Sequence, residues 1–129
     1  MKERRFQAGS GPHAVEAIAV LCGEDLLLAL GGGQKPHIGA IATAIPRPSL
    51  KDSEAVSSSA SVHCLPGHKE DLLARGVALE LAKQTGHTVV VTAGLHIDAA
   101  NEKDIAQLEK NARALLSQVA AWLKAADAQ

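Results

Sequence analysis

Three short islands carry the residues that could do chemistry in this chain. The first is Gly31-Gly32-Gly33-Gln34-Lys35-Pro36-His37-Ile38-Gly39, the second Pro66-Gly67-His68-Lys69, and the third Thr92-Ala93-Gly94-Leu95-His96-Ile97-Asp98. Each sets a histidine beside glycine. An imidazole exchanges protons or binds a metal near neutral pH, and glycine allows backbone to approach a ligand closely. His96 and Asp98 lie two apart, so an extended segment points both side chains the same way. His68 and Lys69 precede a helical pattern. The free amides and positive dipole end of a helix start, with a lysine and an imidazole beside them, suit a phosphate or a carboxylate.

Plainer readings stand beside these. Gly31, Gly32 and Gly33 also suit a structural turn. They match neither a phosphate-binding P-loop, which ends in Gly-Lys-Ser/Thr, nor the spacing of a dinucleotide fingerprint. His37, His68, His96 and Asp98 form a set that suits zinc or iron. None of them has metal-ligand spacing such as HxxxH, so no residue is assigned to a metal. The serines of "SSSAS" lack a nucleophile elbow. His13, His63 and His87 read as ordinary surface histidines.

The elements that must position the islands follow from periodicity. Residues 1–12 are charged and then glycine-rich, and read as a flexible arm. Strands are expected over 13–21, 25–30, 37–45 and 57–65, with a turn at Gly23-Glu24-Asp25 and a glycine loop after Leu30. Leu73, Val77 and Leu81 recur every four residues within a helix expected over Lys69 to Thr85, closed by Gly86. "HTVVVTAG", 87–94, is the most strand-like stretch and reads as central. Asn101 is an N-cap for a second helix carrying Ile105, Leu108, Ala112, Leu115, Val119 and Trp122. The order ββββαβα predicts an α+β fold. It is a single two-layer domain over 13–129, with a mixed, mostly antiparallel sheet and both helices on one face.

Bulk properties bound the function. The chain has 129 residues, 47% of them hydrophobic, and a formal net charge of −1. It offers no basic field for nucleic acid and no apolar run of membrane-spanning length. Two cysteines and the lack of a signal-like apolar region suit a cytoplasmic setting. The sequence has no tyrosine, one phenylalanine and one tryptophan, so one chain cannot build an aromatic cage around a flat ring.

Taken in order, "GGGQKPHIGAIA", "PGHKEDLLARGVALELAKQTG" and "VVVTAGLHIDAANEKDI" resemble the LpdD-like family of prenylated-flavin chaperones. These are small D subunits associated with hydroxyarylic acid decarboxylases of the UbiD type. The resemblance covers roughly residues 13–111. It implies a non-catalytic accessory protein that binds prenylated FMN, or FMN, made by a flavin prenyltransferase, and delivers it to a UbiD-type decarboxylase. The positions it implies for the cofactor are Pro36, His37, Gly39, Gly67, His68, Lys69, Gly94, His96 and Asp98. Gly32, Gly33 and Lys35 join them, because the glycine-rich backbone can meet the ring edge. Where the family often carries an acid, this chain has Gln34. The ring would lie on Pro36, imidazoles, glycine backbone or a second subunit, which makes a homodimer an expectation. The competing reading is a small metal-dependent hydrolase or lyase using His37, His68, His96 and Asp98.

Overall fold

A computed structural model describes residues 1–68 and 70–127. The strands are β1 (Lys2–Ala8), β2 (Val15–Cys22), β3 (Asp25–Gly33), β4 (Ala40–Pro48), β5 (Val56–Cys64) and β6 (Val89–His96). Helix α1 (Asp71–Thr85) lies between β5 and β6, and α2 (Glu102–Asp127) closes the chain. The six strands form one sheet in the order β1-β2-β3-β6-β4-β5. Only the β3–β6 pair is parallel; the other neighbours are antiparallel. Both helices join the sheet in one apolar core, so the domain has two layers.

The core follows from alternation on the strands and four-residue spacing on the helices. Val15, Ala17, Ala19 and Leu21 of β2 are buried, as are Leu26, Leu28 and Leu30 of β3. Against them α2 buries Leu108, Ala112, Leu115, Val119 and Leu123. Each large side chain removed from water contributes roughly 1.5–3 kcal/mol. Strand β6 is interior, paired on both sides, and its Val89, Val91 and Ala93 are fully buried. Gly86 ends α1 in the left-handed region (φ 72°), its N–H donating to the Ala82 carbonyl. Among the described residues, no helix is long and apolar enough to cross a membrane.

The structure departs from the sequence reading in four places. Residues 2–8 are no arm but an edge strand, paired with β2 from Lys2↔Leu21 to Ala8↔Val15. Its Phe6 is buried edge-on against Trp122 of α2, with ring centroids 5.8 Å apart. The charges that suggested solvent, from Lys2 to Arg5, are what an edge strand carries to discourage pairing with another chain. Five strands therefore precede α1, not four. Second, Gly31, Gly32 and Gly33 are not a loop; they continue β3. Third, β4 begins at Ala40 rather than His37, leaving Lys35 to Gly39 outside the strands. Fourth, α1 begins at Asp71, because Pro66 and Gly67 form a turn in which the His68 N–H donates to the Leu65 carbonyl at 3.1 Å.

Candidate functional site

The three islands meet at one end of the sheet, and backbone hydrogen bonds join them. Parallel pairing sets Gly33 beside His96 and Gly31 beside Gly94. The Gln34 N–H donates to the His96 carbonyl at 2.7 Å. The Gly39 N–H donates to the Ala93 carbonyl at 2.9 Å, and the Leu65 N–H to the Gly39 carbonyl at 2.9 Å. The first island thus bonds to the third and to the approach of the second. The second and third leave the carboxyl ends of β5 and β6, which are not neighbours: β4 runs between them.

Glycine makes this approach possible at two positions. A Cβ on Gly94 would overlap the backbone carbonyl of His37, and a Cβ on Gly39 would overlap the Glu70 carboxylate. Neither glycine keeps room for a ligand. They let the chain pack on itself so that His37 and Glu70 meet.

At the meeting point lies a cleft of about 560 Å³. Lys35, His37, Gly67, His68, Glu70 and His96 give it a polar side, and Leu95, Ile97, Ala100, Ile105 and Leu108 an apolar one. His37 Nδ1 lies 3.0 Å from the Lys35 carbonyl. A carbonyl only accepts, so Nδ1 carries the hydrogen and Nε2 faces the other way. That Nε2 is buried and lies 2.8 Å from Glu70 Oε1, a charge contact without hydrogen-bond alignment. His68 Nδ1 is 3.9 Å from Glu70 Oε2, and the two imidazole rings are 4.8 Å apart. Among the described residues, the lone pair or proton at His37 Nε2 therefore meets no aligned hydrogen-bond partner.

The other expected residues sort into three groups. His96 and Asp98 pair with each other, Nε2 to Oδ1 at 2.8 Å, and Gln34 Oε1 accepts from the Asp98 N–H at 2.8 Å. The His96 ring stands 6.5 Å from the His37 ring. Four-residue convergence of His37, His68, His96 and Asp98 is therefore replaced by two separate clusters. Gly32, Gly33 and Pro36 line a small recess of about 110 Å³ with Gln7, Ala14, Val15 and Glu16, apart from the main cleft. Lys69 lies outside the described residues.

Sequence reasoning missed Glu70 and the apolar wall. Glu70 stands one residue beyond the second island, where an acid ahead of a helix reads as a cap. It stands at the N-cap position with φ −84° and ψ 8°, not the extended backbone usual there, and makes no side-chain cap bond. Ile105 and Leu108 fall on the helical stripe and read as core; they also face the cleft. His13 and His87, read as surface residues, tie α2 to the rest of the fold: His13 Nε2 to Asp104 Oδ1 at 2.8 Å and His87 Nε2 to Asp127 Oδ1 at 3.0 Å. The Asp104 carboxyl is held below its ordinary value, mainly by the Asn101 backbone N–H and then by His13.

The fold is that of a small two-layer α+β protein. A crystallised chaperone complex for yeast 20S proteasome assembly contains a chain with this fold at a TM-score of 0.60 and 19% identity, covering 96% of this chain and 95% of that one. The family follows from the sequence match: the prenylated flavin chaperone LpdD-like domain matches residues 9–124, and the chain belongs to that family. Protein LpdD of Lactiplantibacillus plantarum (strain ATCC BAA-793 / NCIMB 8826 / WCFS1) is 27% identical over 120 residues, which span 93% of this chain and 85% of that protein. The chain is accordingly a chaperone-type accessory protein rather than an enzyme.

Proposed function

We propose that this protein binds prenylated FMN in the cleft between the three islands and delivers it to a UbiD-type decarboxylase, turning over no aromatic acid itself. One observation carries the reading. In a chain of the prenylated flavin chaperone family, three sequence islands separated by up to 26 intervening residues converge on one cleft. Its size falls within the range of roughly 300–1,000 Å³ usual for small-molecule sites. Leu95, Ile97, Ile105 and Leu108 offer an apolar surface to a flat ring, and the imidazoles offer polar contacts to its edge. Lys35 and His68 line the same cleft and offer N–H donors, so a phosphate belongs at that end. A homodimer belongs to the same reading, because none of the described lining residues is a large aromatic that could cover the ring's second face.

The test is titration of flavin-free protein with FMN, prenylated FMN and riboflavin, followed by transfer to a cofactor-free decarboxylase. Charge-assisted contacts contribute about 1.5–3 kcal/mol each. Riboflavin, without the phosphate, is therefore expected to bind roughly ten- to a hundredfold more weakly than FMN. Lys69→Ala should narrow that gap. The decarboxylase should gain activity when mixed with the loaded protein. Absence of flavin binding, or decarboxylation of a gallate-like acid by this chain alone, would overturn the proposal. Sedimentation of free and loaded protein checks the dimer.

A further inference from the structure

We infer that His37, His68 and Glu70 form a binding site for one divalent first-row transition metal, on the floor of the cleft at the start of α1. Their ligand atoms all lie within 4.8 Å of one another. Two imidazoles and a carboxylate bound at about 2.0–2.2 Å stand roughly 3–3.5 Å apart around such an ion. The observed separations, 2.8 Å between His37 Nε2 and Glu70 Oε1 and 3.9 Å between His68 Nδ1 and Glu70 Oε2, bracket that spacing.

Three further features point to an ion rather than to a plain ion pair. The His37 Nδ1–H is taken by the Lys35 carbonyl. Such a bond on the far nitrogen fixes the tautomer and orients the other lone pair in metal-binding histidines. His37 Nε2 is buried yet lacks an aligned hydrogen-bond partner among the described residues, and an ion would satisfy it. Finally, a proton shared between His37 and Glu70 leaves the second imidazole unexplained. Two imidazolium rings 4.8 Å apart repel, whereas two neutral rings can share one cation. The site is also built: the Glu70 carboxylate lies where a side chain on residue 39 would stand. Its side chain is 14% exposed and that of His37 22%.

Nitrogen donors favour zinc, iron, cobalt or manganese over calcium and magnesium, which prefer all-oxygen sets. Three protein donors leave a position for water or for an oxygen of a bound molecule. His96 and Asp98 are outside this set, since they bond to each other. This assignment does not depend on flavin binding.

The experiment is titration of tag-free, flavin-free, full-length protein with cobalt(II) chloride, read by visible d–d absorption and calorimetry. One equivalent should bind saturably, zinc should displace it, and magnesium at the same concentration should not. Affinity should fall on acidification, because protons compete with the metal for its ligands. His68→Ala and Glu70→Gln should each weaken binding at least roughly tenfold, and His87→Ala, at the far end of the sheet, should leave it unchanged. Circular dichroism checks folding. If His37→Ala fails to fold, the more exposed His68 and the isosteric Glu70→Gln still decide the matter. Lack of saturable binding overturns the assignment. So does binding that survives Glu70→Gln but is lost in His96→Ala. A protein that binds cobalt and no flavin refutes only the proposed cofactor; one that binds flavin and no cobalt refutes only the metal.

Discussion

The two helices begin differently, and each start carries an acid with a histidine beside it. At α2, Asn101 and Asp104 cap each other: the Asp104 N–H donates to Asn101 Oδ1 at 2.9 Å, and the Asn101 N–H to Asp104 Oδ2 at 3.0 Å. His13 then ties Asp104 to the strand side. Both carboxylate oxygens of Asp104 are thus bonded within the fold. At α1, Glu70 occupies the cap position but gives no cap bond. Its carboxylate turns away from the helix, toward His37 and His68. The same residue types stabilise a helix in one place and line a cleft in the other.

Substitutions can break this contrast. The largest effect is expected from Gly94→Ala, which pushes a methyl group into the His37 carbonyl and displaces the cleft floor. Backbone cannot yield as a side chain can, so the loss of stability should reach at least about 2 kcal/mol. Urea unfolding checks it, and a variant as stable as the parent would show that the first and third islands are not closely packed. Next comes Asn101→Ala. Loss of an N-cap typically costs about 1 kcal/mol, read as a lower unfolding midpoint with unchanged slope.

Glu70→Gln should cost less than Asn101→Ala, about 0.5 kcal/mol or below, because the contact of Glu70 with His37 lacks hydrogen-bond alignment and the amide keeps the shape of the carboxylate. Its effect belongs in ligand binding instead. If the two substitutions destabilise equally, the contrast between the helix starts is wrong. The smallest effect is a pH dependence. The folded Asp104 carboxyl sits below its unfolded value, so its contribution is present above the ordinary carboxylate range and fades as the pH falls through the folded value. The stability gap between the parent and Asp104→Ala should therefore hold from neutral pH to about pH 5 and close on further acidification. A gap that widens in acid would contradict this sign.

Much of the frame was legible before any coordinates. The alternation of Val15, Ala17, Ala19 and Leu21, the four-residue spacing of Leu73, Val77 and Leu81, and the cap residues Asn101 and Gly86 are local signals. Each names an element because the side-chain period of a strand or helix is set by its own backbone. Phe6 shows where local reading fails: one apolar residue among charges carries no period, and only its packing on Trp122, more than a hundred positions away, makes residues 2–8 a strand.

Local spacing named the cleft's three histidines and left out Glu70. The sequence placed His37, His68 and His96 in three glycine-bearing islands and made the resemblance to the chaperone family visible. Only the tertiary structure decided how they pair. The choice between His96 and Glu70 as the neighbour of His37 depends on β6 entering between β3 and β4, which brings Gly94 under His37 and leaves Gly39 open to the Glu70 carboxylate. Strand insertion and register arise from pairing between segments distant in sequence, where a shift of one residue exchanges the two faces of a strand. Local periodicity holds no record of that choice, so the donor set of the cleft could be read only after the chain had folded.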